Sequence, residues 1–218
     1  MEWTAMEINP EMLNKMMCKL GVGDSWRFVD VLGLEGEQLS AVPTPCCGLM
    51  LLFPLTQQHE SFRQQQADKV AEDSKVYFLK QTIVNSCGTI ALLHAAANNK
   101  SKLTFDTDSA LKKFLDETAN MSADDRAKNL ANNKAISEAH NEVAVQGQCR
   151  PEADKVNFHF IAFANVNGQL YEFGKHVYVS CTFLFVFYIG WSHWIPNPLI
   201  HFLRWEDERT SEPRSHQR

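Results

Sequence analysis

Asn85-Ser86-Cys87-Gly88-Thr89-Ile90-Ala91-Leu92-Leu93-His94-Ala95-Ala96-Ala97 is the stretch on which the fold turns. Ile90, Leu93 and Ala97 share one helical face, and the alanines favour helix strongly, so a helix starts near Cys87. Asn85 and Ser86 stand ahead of it as capping candidates. A thiol at such a helix start meets unpaired N–H groups and the positive end of the helix dipole, which favour the thiolate. From pattern alone, a Cys among Ala and Leu is more often a buried core thiol.

Two other residues give that thiol a chemical context. Gln81 lies six positions upstream, where its amide can approach an oxyanion beside the Cys87 N–H. His159 lies in Val156-Asn157-Phe158-His159-Phe160-Ile161-Ala162-Phe163, which reads as a strand. A His separated in sequence can pair with a Cys in space, and the order Gln, Cys, His is the papain-like one. Taken singly, Gln81 reads as a surface residue and His159 as a satisfied core histidine.

Around this centre the chain alternates helices and strands. Asn9-Pro10 opens a first helix, with Leu13, Met16, Met17 and Leu20 at helical spacing and Gly21 as its stop. Trp26–Val31 reads as a strand, and Leu49–Phe53 as a fully buried one ended by Pro54. His59 to Lys75 is polar and Gln-rich, an expected exposed helix; Val76–Leu79 is a strand or extended segment. Two or three helices are expected between Asp106 and Val145, then a loop from Gln146 to Lys155. Asn167-Gly168 is a tight hairpin turn, and Gln169–Phe173 the returning strand.

Composition narrows the function. The chain has 218 residues, enough for one domain with a sizeable core. Its net charge of −5 lacks the basic footprint that nucleic acid requires. The six cysteines form no CxxC pair and no metal spacing, so no metal and no cofactor is expected. The N-terminus has neither a positive leader nor an apolar run, so reduced thiols in the cytoplasm are expected.

Met6 to Lys15, Trp26 to Leu34, Phe53-Pro54-Leu55-Thr56, Lys80 to Ile83, Asn85 to Ile90 and Lys155 to Ile161 together resemble the ubiquitin carboxyl-terminal hydrolase family. The resemblance runs, with one short gap, from about Met6 to Glu172. It implies an α/β (α+β) papain-like cysteine protease fold, a central antiparallel sheet flanked by helices, with a knotted backbone. It implies a thiol-dependent deubiquitinase acting on small adducts of ubiquitin, with Cys87 as nucleophile, His159 as acid and base, and Gln81 stabilising the oxyanion. Met6, Glu7, Ile8, Asn9 and Pro10 match a stretch that touches ubiquitin, and 146–154 matches a crossover arching over the active site.

The match stops after Phe173. Gly174 occupies the place where the family carries the Asp that orients the histidine, and the family's late strands are expected to be missing. The expected division is a catalytic domain over 1–173 and a divergent tail over 174–218. The alternative to turnover is therefore a ubiquitin-binding protein with impaired chemistry, with Glu172 a candidate substitute for the missing Asp. Val177 to Trp191 is apolar but shorter than the roughly 20 residues that span a bilayer, which weighs against a membrane anchor. The charged end from Arg204 to Arg218 reads as disordered.

Overall fold

Asn9 and Pro10 start the first helix as their chemistry dictates. In the computed structural model, which describes residues 1–7, 9–31, 46–54, 75–147, 158–174, 178–180 and 202–207 with isolated positions besides, α1 spans Pro10–Lys19. The Asn9 side-chain oxygen accepts from the Met12 N–H at 2.9 Å. Met12, Leu13, Met16 and Met17 form its buried stripe. Gly21, at φ +75°, ends the turn; a Cβ there would stand 2.6 Å from the Ser109 Cα. That close approach lets the end of α1 abut a later helix, whose N-cap Ser109 donates its hydroxyl to the Leu20 carbonyl at 2.8 Å.

The described helices continue with α2 (Cys87–Asn98), α3 (Ala110–Glu117), α4 (Ala123–Asn132) and α5 (Lys134–Ala144). The last three fill the stretch where two or three helices are expected, each capped by a side chain: Ser109, Ser122 and Asn133. Caps of this kind typically contribute about 1 kcal/mol each.

The strands are β1 (Trp26–Val31), β2 (Gly48–Pro54), β3 (Phe158–Val166), β4 (Gln169–Phe173), β5 (Tyr178–Ser180) and β6 (Phe202–Asp207). They form one antiparallel sheet in the order β1-β6-β2-β3-β4-β5. Asn167 (φ 53°) and Gly168 (φ 88°) supply the two left-handed residues of the β3–β4 hairpin. The sheet with its helices is the expected mixed architecture.

One face of the sheet takes α2. Ala162 and Ala164 of β3 are fully buried and small, so the helix can lie close. Their cross-strand partners Phe173 and Tyr171 share that face, and Phe173 stacks on His94 of α2 at 5.1 Å. Met50, Trp26 and Phe28 extend the same core across the sheet. Leu51, Ile161 and Phe163, at alternate positions, are buried on the other face.

Two expectations need correction. The tail does not leave the sheet short of late strands: Tyr178–Ser180 and Phe202–Asp207 both join it. The reading of 204–218 as disordered likewise fails for its first residues, since Arg204 to Asp207 pair with β1. The physical reason is that β1 and β2 each present a free ladder, and buried backbone groups must find partners whatever the charge of the segment supplying them. In Val76–Leu79, Val76 is a bend and the rest has no regular secondary structure, and none of it joins the sheet among the described residues. The segments 62–74, 148–157 and 181–201, with most of the expected polar helix and crossover and much of the tail, lie outside the described residues.

Candidate active site

Cys87 is the first residue of α2 and half-buried. The N-cap residue Ser86 makes no capping bond; its hydroxyl donates instead to the Ile83 carbonyl at 2.9 Å. No acidic residue occupies the first turn. The positive end of α2 is thus not quenched by its own cap, a setting that favours an anion such as a thiolate.

The turn before Cys87 is held from outside. Asn85 sits at φ 63°, a conformation uncommon for any residue but Gly. Its amide donates to the Trp3 carbonyl at 3.1 Å and to Glu2 Oε1 at 3.3 Å. Val84 forms a parallel bridge with Glu2; Trp3 N–H donates to the Val84 carbonyl, and Val84 N–H to that of Met1. His140 of α5 closes this arrangement. Its Nδ1 lies 2.8 Å from the hydroxyl of Thr89, two residues after the nucleophile candidate, and its Nε2 2.8 Å from the Thr4 carbonyl. Trp3 packs on its ring at 4.7 Å.

Gln81, half-buried, follows the extended segment 77–80, so it and Cys87 flank one turn. His159 lies near the start of β3, its backbone paired with Phe53 of β2, and α2 packs along that same strand. Gly174 is buried just past β4. The β3–β4 pairing ends at Ala162↔Phe173; continued by one residue, the register would set Gly174 opposite Ile161, two residues along β3 from His159. Glu172 is also buried, but it pairs with Phe163, four residues from His159. At about 3.4 Å per residue that is roughly 14 Å along the strand, too far for Glu172 to serve as the histidine's acceptor.

The expected ubiquitin-contact stretch divides. Met6 is in the core, Asn9 caps α1 while its Nδ2 donates to Glu7 Oε1 at 3.1 Å, and Pro10 is the first residue of α1. Glu7 lies against the end of α5, where a Cβ on Gly147 would come within 3.0 Å of the Glu7 Cβ. Ile8 lies outside the described residues.

Sequence reasoning missed the buried imidazoles. His94, on the Cys87 helix, is held near a pKa of about 3 by desolvation, against which its bond to the Leu79 backbone acts weakly. Burial also lowers His140, opposed by its bond to the Thr4 carbonyl. The available signal was a polar residue at 94 and another at 98 in an otherwise Ala/Leu helix. In the unfolded chain these rings protonate near the ordinary 6.5, so below that pH the unfolded state binds more protons. Stability is therefore full above about 6.5 and declines as pH falls from there towards 3. His94 alone is expected to cost about 2 kcal/mol by pH 5. Urea titrations at pH 7 and pH 5 should show a lower midpoint at pH 5; an equal midpoint would contradict this.

No described helix is long and apolar enough to cross a membrane. A model of the family described as ubiquitin carboxyl-terminal hydrolase, family 1 matches residues 3–176. Ubiquitin carboxyl-terminal hydrolase isozyme L1 of Homo sapiens is 60% identical over 175 residues, covering 79% of this chain and 78% of that protein. The Bos taurus isozyme L1 is 50% identical over 204 residues, covering 79% of this chain and 81% of that one. Among solved structures, the Trichinella spiralis UCH37 catalytic domain bound to ubiquitin vinyl methyl ester matches at TM-score 0.71 and 18% identity. The match covers 94% of this chain and 96% of that one. At 18% identity that likeness speaks for the fold alone. The family model spans the helix of Cys87 and the strand of His159 alike, and with a relative at 60% identity over most of both chains, this chain belongs to family 1 of the ubiquitin carboxyl-terminal hydrolases, the cysteine-type hydrolases of peptidase C12.

Proposed function

We propose that this chain binds ubiquitin and hydrolyses small adducts from its C-terminal glycine, with Cys87 as nucleophile, His159 as acid and base, and Gln81 in the oxyanion site. The observation that carries this reading is the placement of Cys87 at the uncapped start of α2, within a chain 60% identical to a ubiquitin carboxyl-terminal hydrolase. The Cys87 thiolate adds to the glycine carbonyl, and the oxyanion is met by the Cys87 N–H and the Gln81 amide. His159 protonates the departing amine, leaving a thioester; it then takes a proton from water, which releases ubiquitin and restores the thiol.

Residues 1–173 carry the machinery, and the tail contributes β5 and β6 to the same sheet. Among the described residues, Cys18, Cys46, Cys47 and Cys87 form no disulfide, which suits the reducing cytoplasm. The second reading, ubiquitin binding with impaired turnover, draws its support from Gly174 at the position of the histidine's partner. Steady-state hydrolysis of a fluorogenic ubiquitin C-terminal amide separates the two. Turnover that scales with enzyme and stops on thiol alkylation supports the hydrolase; binding without turnover supports the second reading.

A further inference from the structure

The segment 77–80, which leads into Gln81, joins no strand of the sheet among the described residues, and side chains satisfy its backbone at alternate residues, 77 and 79, as in extended chain. Asn98 of α2 accepts from the Tyr77 N–H and donates to the Tyr77 carbonyl, both at 2.9 Å. His94, one turn earlier, places Nε2 3.1 Å from the Leu79 carbonyl and 3.3 Å from the Leu79 N–H. From the other side, Arg126 of α4 donates to the Phe78 carbonyl at 2.9 Å. The spacing fits: two residues of extended chain advance about 6.6 Å and four of helix about 6 Å, so positions 77 and 79 fall opposite 98 and 94.

The His94 ring is sandwiched between Phe78 and Phe173, each at 5.1 Å, and its buried Nδ1 has no hydrogen-bond partner among the described residues. A leucine or phenylalanine would fill such a slot without an orphaned polar atom. The imidazole is thus costly as packing, and what it provides is a directed bond to Leu79.

We propose that Asn98 and His94 are positioning residues that fix the extended segment 77–80 on the Cys87 helix, and so set Gln81 relative to the nucleophile. This rests on the oxyanion role proposed for Gln81. One helix then carries both the nucleophile and the frame for the oxyanion donor, so the two keep their spacing as a unit. Removing the frame lets Gln81 wander, which weakens the transition state more than ubiquitin binding.

Asn98→Ala is the main variant because Asn98 is only half-buried, and it is compared in the native and Gln81→Ala backgrounds on a fluorogenic ubiquitin amide. The expected result is a roughly tenfold fall in kcat with KM within twofold, and no further fall once Gln81 is Ala. Equal falls in both backgrounds, or none in either, overturn the proposal. If Gln81→Ala itself leaves kcat unchanged, the oxyanion reading fails instead. Placement is read without turnover by amide exchange: Tyr77 and Leu79 should exchange at least tenfold faster in Asn98→Ala under an unchanged cooperative melt. Unchanged exchange there also overturns the proposal. His94→Gln, whose amide can still reach the Leu79 carbonyl, should keep most of kcat where His94→Leu does not.

Discussion

Gly174→Asp is expected to raise kcat on a fluorogenic ubiquitin amide by about 10²- to 10⁴-fold. The upper bound is the loss seen when the third member of a serine triad is disabled. The lower one allows that a Cys–His pair can form an ion pair without help. The register makes 174 the place for the gain. Continued one residue past its last pair, Ala162↔Phe173, the β3–β4 register would set it opposite Ile161, on the diagonal from His159 at about 7 Å between backbone positions. Glu172 cannot supply the carboxylate from its own place opposite Phe163, twice as far along β3. An unchanged rate in Gly174→Asp would mean that orientation of the histidine is not what limits this chain.

The other large effect is at the nucleophile. Ubiquitin vinyl methyl ester should form a thioether with the native chain and none with Cys87→Ala, whose hydrolysis falls to solvent background. In a serine protease, loss of the nucleophile alone costs on the order of 10⁶-fold in kcat. Ubiquitin affinity of Cys87→Ala, measured by calorimetry, is expected to stay within a fewfold, because the substituted atom meets only the scissile end of the substrate. Labelling that persists in Cys87→Ala would assign the reactive thiol elsewhere. Cys18 and Cys46, both exposed, are the described alternatives.

The parts legible in the sequence were those set by local rules. Asn9-Pro10, the Ala-rich helix after Cys87, and Asn167-Gly168 each fold as their own chemistry requires. Less legible were features that depend on distant chain. The charges of Arg204, Glu206 and Asp207 hid a strand, because the need for it lies in the free ladders of β1 and β2. Met6, within a stretch matched to ubiquitin contact, also lies in the same core cluster as α1's buried methionines. The scaffold of the site was hidden for the same reason. His140 serves Thr4 and Thr89, and Asn98 serves Tyr77, pairings that no spacing in the sequence marks.

β6 has a consequence for how the molecule comes into being. Trp26 finds its partner in Asp207, nearly a whole chain away, and β2 shares that late neighbour. Synthesis exposes β1 well before β6, so the sheet stays incomplete until β6 has been made. Contact order is high for that pair, which favours slow acquisition of the native sheet. Until β6 arrives, β1 and one side of β2 are open edges, available to any other unfinished chain. The demand for a chaperone thus falls in the interval between the appearance of the Cys87 helix and that of β6.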